Sequence, residues 1–154
     1  MSKQLETEGF LLSTITIPKE IEQIVDDKNW NTLDELMFKL TSPEGVIFQE
    51  MAKYCPVKSI EFIISLRDSE NEWEEDGIWH DDGSRILAFS LSLTKKTPKG
   101  GILEFRKKNQ QQCFEIETPK WGQMIIFKTG TSGYEHRIRK VDEGQRLIIA
   151  GWCT

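Results

Sequence analysis

At 154 residues, with 38% apolar and 29% charged side chains and a formal net charge of −5, the chain has the composition of an ordinary globular domain. The acidic balance speaks against wholesale nucleic-acid binding, and no apolar run approaches the ~20 residues that a membrane span needs. Three scattered cysteines, Cys55, Cys113 and Cys153, with no Cys-x-x-Cys spacing, read as small buried groups in a reducing compartment. The polar start MSKQLETEGF has no apolar segment of a secretory signal, so a cytoplasmic location and no membrane partner are expected.

In chain order, FLLSTITIP (10–18) alternates weakly and reads as a strand. Pro18 then opens a helical stretch with Ile21, Ile24 and Val25 on one face. In NTLDELMFKL, Thr32 can cap a helix whose stripe is Leu33, Leu36, Met37 and Leu40. Ser42-Pro43-Glu44 reads as a third helix start, leading into GVIFQEMAKY. Residues 18–54 are thus expected to be two or three short helices.

From Val57 the period changes to that of strands. VKSIEFIISL is followed by RILAFSLSLT, ILEFRKK, CFEIET, QMIIFKT, EHRIRKV and RLIIAGWCT, with turn-forming breakers between them. Short strands at this spacing predict a sandwich, jelly roll or barrel, with the helices covering one sheet face. A single domain over 1–154 is expected, with a helical support at roughly 18–54 and a β core at roughly 57–154. The acidic segment DSENEWEEDG (68–77) reads as a solvated loop; its functional reading is a lid, with Trp73 as the apolar contact.

The chemistry concentrates around two histidines, the only ones in the chain. In GIWHDDGSR, His80 and Asp82 project to the same side if the segment is extended. His136 lies on a predicted strand 54 residues beyond Asp82. Two imidazoles and one carboxylate on one face of a metal, with the other positions open, is the donor set of non-haem Fe(II) oxygenases. Ten residues further, Arg146 heads the apolar strand RLIIAGW, where a buried guanidinium requires an anion.

On a flat hairpin, His136 and Arg146 would lie roughly 16 Å apart. A shared site therefore demands that the chain cross from one sheet to the opposite one between them. Arg137 and Arg139, on the side opposite His136, read as solvated charges. Lys95, Lys96 and Lys99 read the same way, while Gly100-Gly101 reads as a turn with positive φ.

His80-x-Asp82, His136 and Arg146 in this order resemble the motif set of the Fe(II)/2-oxoglutarate-dependent dioxygenases, and most of all their prolyl-hydroxylase-like branch. GGILEFR (100–106) is similar to a strand between the two ligand motifs in that branch. TPKWGQMIIF (118–127) resembles its Pro-x-x-Gly strand before the second histidine. The resemblance covers roughly 57–154 and implies a mainly β fold with N-terminal helices, a double-stranded β-helix. It implies Fe(II) held by His80, Asp82 and His136, and 2-oxoglutarate with its distal carboxylate on Arg146. O2 is then a co-reactant, and ascorbate an optional reductant.

The implied reaction is hydroxylation of an amino-acid residue, prolyl first, or of a small molecule, with succinate and CO2 as products. Where relatives often carry a tyrosine for the cosubstrate carboxylate, the face Ser90, Ser92, Thr94 offers Ser92. Two other readings stay open: a non-catalytic ligand-binding jelly roll, and a zinc hydrolase using the same three donors. The zinc reading leaves Arg146 without a task.

Overall fold

The computed structural model describes residues 2–71 and 73–154; Glu72, part of the acidic segment, lies outside them. The N-terminal third is helical around one strand. α1 (Lys3–Thr7) precedes β1 (Phe10–Thr14), and α2 (Glu20–Asp26), α3 (Trp30–Leu40) and α4 (Val46–Ala52) follow. The strands are β2 (Ile60–Asp68), β3 (Leu87–Ser92), β4 (Lys99–Gly100), β5 (Leu103–Lys107) and β6 (Phe114–Ile116). They continue with β7 (Gln123–Lys128), β8 (Tyr134–Ile138), β9 (Val141–Glu143) and β10 (Gln145–Cys153).

Two sheets face each other. The larger has the order β1-β7-β3-β10-β2 and the smaller β6-β5-β8, while β4 and β9 form a two-stranded ribbon. All pairings are antiparallel, and several join strands far apart in sequence, such as β1 with β7 and β3 with β10. This is the double-stranded β-helix with N-terminal helices that the family resemblance implies, one of the architectures the strand pattern allows.

Strand alternation divides the core. On β3 and β10, Leu87, Phe89, Leu91, Leu147 and Ile149 face the helices, where they pack with Ile21, Leu33, Met37, Ile47 and Met51. The opposite face of the large sheet carries Ala88, Ile125 and Phe127, which pack with Leu103, Phe105 and Tyr134 of the small sheet. β3 is buried along its whole length because it is covered on both sides. Gly151 of β10 is required here, since a Cβ would lie 2.2 Å from the Phe89 ring. Among the described residues no helix is long and apolar enough to cross a membrane.

Several local expectations are corrected. Asn29, not Thr32, caps α3, its Oδ1 accepting the Thr32 N–H at 3.3 Å. The helix after Ser42-Pro43-Glu44 begins only at Val46. Ser42 instead serves the end of α3, donating its hydroxyl to Phe38 O at 2.6 Å. α1, β4 and β9 escaped the periodicity because each is five residues or fewer. Lys95 and Lys99 are exposed but paired, with Asp26 at 2.6 Å and Glu143 at 3.1 Å. Gly100 and Gly101 do adopt positive φ, +74° and +62°.

Arg137 and Arg139 do project opposite to His136, yet they are not free solvated charges. Both bind Glu104 of β5, and Arg139 also pairs with Glu115. Arg137 and Arg106 lie over the Trp79 ring, at 4.6 and 3.8 Å from its centroid. Glu104 itself is only 3% exposed.

Burial alone would raise the Glu104 pKa, but the hydrogen bonds and charges of Arg137 and Arg139 outweigh it and hold the carboxyl below its ordinary value. A depressed carboxylate pKa contributes stability above the unfolded-state value, and that contribution is lost as pH falls through the folded one. Glu104→Gln is therefore expected to cost about 1–2 kcal/mol at pH 7. The gap from the parent chain should narrow as pH falls through and below the ordinary glutamate range, which urea titrations across pH will measure.

Candidate metal centre

The site begins with a backbone pairing. His80, in the segment entering β3, and His136, on β8, exchange both N–H···O=C bonds, at 3.0 and 2.9 Å. An antiparallel pair of this kind puts both side chains on the same side. The two imidazoles accordingly meet with ring centroids 4.4 Å apart at 61°. Asp82 follows at i+2 on the same side, while the intervening Asp81 turns away to Lys108 and to the Gly83 N–H.

His80, Asp82 and His136 thus offer ligand atoms that all lie within 4.8 Å of one another. His136 Nε2 is 3.9 Å from Asp82 Oδ2. Small rotamer adjustments suffice to bring such donors onto one first-row ion, whose bonds run ~2.0–2.2 Å.

Two of the three donors are oriented by neighbours. His80 Nδ1 donates to Ile78 O at 3.0 Å, which leaves its Nε2 lone pair available. Asp82 is held by Thr129, a fully buried residue at the end of β7. The Thr129 hydroxyl donates to Asp82 Oδ2 at 2.7 Å and accepts the Asp82 N–H at 3.1 Å. His136 packs its ring 4.9 Å from that of Phe127. Burial, reinforced by His80 and opposed by Asp82, pushes the His136 pKa down to about 4, so its imidazole is neutral at pH 7. Its Nδ1 is buried with no hydrogen-bond partner among the described residues.

His80 and His136 border a cavity of about 90 Å³ between the two sheets. Ser65, Ser90 and Ile148 line it from the large sheet, and Leu103 and Ile138 from the small one. Arg146 lines the same cavity. His136 on the small sheet and Arg146 on the large one therefore face a common interior, as a shared site demands. A larger hollow, about 520 Å³, lies on the helix side near Val25, Trp30 and Leu93, and it holds neither histidine.

Arg146 is 3% exposed. Its Nε is buried without a hydrogen-bond partner, and no carboxylate pairs with it among the described residues. Burial above all, then the charge of Arg67, pushes its pKa down to about 9 against the pull of Asp76, leaving it charged at neutral pH. Gly101 gives its stem room, since a Cβ there would lie 3.1 Å from Arg146 Cδ. Thr118 Oγ1, within 4 Å of the same point, is also buried and unpartnered.

Ser92 is fully buried, and its Oγ accepts the Thr94 N–H at 3.2 Å. Ser90, one step along the same face, lines the cavity instead. The acidic segment is anchored: Asp76 pairs with Arg67, whose guanidinium lies 4.4 Å from the centre of the Trp73 ring, and Gly77 N–H donates to Ile138 O at 2.8 Å. Arg67 and Thr129 escaped the sequence reading. Arg67 falls between the apolar run that ends at Leu66 and the acidic segment that begins at Asp68; Thr129 carries no local signal at all.

The donor chemistry fits a divalent first-row metal: two imidazoles and a carboxylate converge beside a cavity that leaves the other coordination positions to solvent or ligand. The Nε of Arg146, which lines the same cavity, is buried without a hydrogen-bond partner among the described residues.

The fold is shared with solved oxygenase structures. A prolyl-4-hydroxylase of Pseudomonas putida superposes with a TM-score of 0.61 at 17% identity, covering 97% of this chain and 90% of that one. A Trichoplax adhaerens prolyl hydroxylase, solved with a hypoxia inducible factor peptide fragment, gives 0.64 at 13% identity, covering 97% and 85%.

The family model of the 2OG-Fe(II) oxygenase superfamily matches residues 59–154. The chain belongs to that superfamily. A PKHD-type hydroxylase of Prochlorococcus marinus (strain MIT 9312) is 31% identical over 97 residues, and that of strain MIT 9515 is 30% identical over 97. Each alignment takes in 62% of this chain and 41% of the relative, so the chain spans less than half the length of these curated relatives.

If Asp82 ligates a metal, its partner Thr129 sets the affinity. Thr129→Val is expected to weaken Mn(II) binding by about 10- to 100-fold while lowering stability by about 1–3 kcal/mol. Calorimetric metal titration and thermal melts on the same samples measure both.

Proposed function

We propose that this chain is the catalytic unit of an Fe(II)- and 2-oxoglutarate-dependent dioxygenase. It would hydroxylate an amino-acid residue, prolyl first, with a free amino acid or small metabolite as the other substrate class. The observation that carries the reading is Arg146: a buried guanidinium that forms no ion pair among the described residues, lining the same cavity as the two histidines. A zinc hydrolase needs the three donors but has no use for that charge. The names of the relatives and fold neighbours, hydroxylases in each case, support the same reading.

His80, Asp82 and His136 would hold Fe(II), and Arg146 would take the distal carboxylate of 2-oxoglutarate through a bidentate, charge-assisted pair. Bound Fe(II) supplies the activation of O2, coupled to oxidation of 2-oxoglutarate to succinate and CO2.

The chain's own contribution is positional. The backbone bridge fixes the two imidazoles, Thr129 aims the Asp82 carboxylate, and Arg146 orients the cosubstrate by its far end. The apolar walls, Leu103, Phe127, Ile138 and Ile148, limit water around the reacting groups. Burial keeps His136 unprotonated and ready to donate a lone pair.

Anaerobic addition of Fe(II) and 2-oxoglutarate is expected to give a visible metal-to-ligand charge-transfer band. Asp82→Ala should abolish both the band and succinate formation. Arg146→Met should raise the 2-oxoglutarate requirement by about 10- to 100-fold, the worth of a charge-assisted pair, with metal affinity nearly unchanged. A folded, metal-loaded protein that shows no band and hydrolyses substrates with zinc would overturn the oxygenase reading. Mass spectrometry of peptide and amino-acid mixtures, with and without ascorbate, for a gain of one oxygen atom then separates the substrate classes.

A further inference from the structure

Arg146 is not the only guanidinium at the far end of the cavity. In the β2–β10 pairing, Arg67 stands directly opposite Arg146. Both side chains line the cavity, and they are 8% and 3% exposed. Like charges directly opposed on neighbouring strands repel, and burial removes the water that would screen them. The described residues supply one close counter-ion between them: Asp76, which pairs with Arg67. Glu75 also reaches the cavity wall and its charge acts on Arg67, but it is exposed and makes no close ion pair with either arginine. Both Nε atoms are buried without a hydrogen-bond partner among the described residues. Among the described residues the pair is therefore short of close negative charge and keeps spare donors beside one cavity.

We propose that Arg67 is a second anion-binding residue: the distal carboxylate of 2-oxoglutarate is shared between Arg146 and Arg67. This rests on the oxygenase reading above and deepens it. A carboxylate placed between the two guanidinia relieves their repulsion and satisfies donors that the protein leaves open. It also fills the role for which the sequence offered Ser92, whose hydroxyl already serves the backbone at Thr94. Arg67 is a specificity residue in this scheme, favouring keto acids that carry a second carboxylate.

The competing account makes Arg67 a strut that only holds the 73–77 segment through Asp76 and Trp73. Calorimetric titration of the Mn(II)-loaded chain with 2-oxoglutarate, and with 2-oxobutanoate, which lacks the distal carboxylate, separates the two. Arg67→Met is expected to weaken 2-oxoglutarate binding by about tenfold or more, with 2-oxobutanoate binding unchanged, so that the preference between them collapses. Asp76→Asn, which removes the strut but frees Arg67, should bind 2-oxoglutarate at least as tightly as the parent.

Equal losses for both keto acids in Arg67→Met would overturn the proposal, as would a tenfold loss in Asp76→Asn. Should Arg67→Met not fold, Arg67→Gln and Asp76→Asn decide: a selective loss of 2-oxoglutarate affinity in Arg67→Gln with the preference kept in Asp76→Asn supports the proposal, and a preference kept in Arg67→Gln or lost in Asp76→Asn overturns it. Loss of 2-oxoglutarate binding in Arg146→Met but not in Arg67→Met removes Arg67 alone. A parent protein that binds metal but neither keto acid removes the oxygenase reading itself.

Discussion

The pair of backbone hydrogen bonds between His80 and His136 is the constraint on which the site depends. The two residues belong to segments that meet only because the chain winds through both sheets between them. An isolated two-bond bridge is weak when exposed, but this one is flanked by firm structure: β8 is paired along its length to β5, and Thr129 ties Asp82 to the end of β7. The imidazoles are thereby set side by side by the main chain. Side-chain rotamers then have to choose only the final aim, which is how rigid elements give a site its precision.

The same winding decides what lies opposite. β10 is an interior strand of the large sheet, between β3 and β2, and its alternate residues face a helical core on one side and the sandwich interior on the other. Leu147 and Ile149 anchor the strand through the first face. Arg146 and Ile148 are then obliged to face the cavity, because a shift by one residue would exchange the two sets. The placement of a buried cation is thus enforced by hydrophobic burial on the reverse of its own strand. Phe89 over Gly151 locks the same register from the neighbouring strand.

The strands and the order of the site residues were legible because both depend on local pattern: period two, turn residues, and the spacing His80-x-Asp82. The demand that His136 and Arg146 lie on opposite sheets was legible as well, since a distance argument needs only the rise per residue. What was not legible depends on partners distant in sequence. Thr129 matters through Asp82, and Arg67 through its register with Arg146; neither has a local signature. Arg137 and Arg139 misled for the same reason. Alternation showed correctly that they oppose His136, but not that Glu104, thirty-odd residues earlier, would lie beneath them.

Those two pairs of arginines, set side by side, make the functional argument from within one molecule. On the outer face of the small sheet, where water is at hand and unpaired guanidinia would cost little, Arg137 and Arg139 are met by Glu104 and Glu115. In the interior, where an unpaired charge is most costly, Arg146 has no carboxylate among the described residues and Arg67 has only Asp76. A chain with an excess of acidic over basic residues does not lack carboxylates to place there. Leaving the inner pair short of negative charge is destabilising for the empty protein and favourable for one that takes up an anion. The shortfall lies in the cavity that the two histidines border, where the proposed cosubstrate would supply the missing charge.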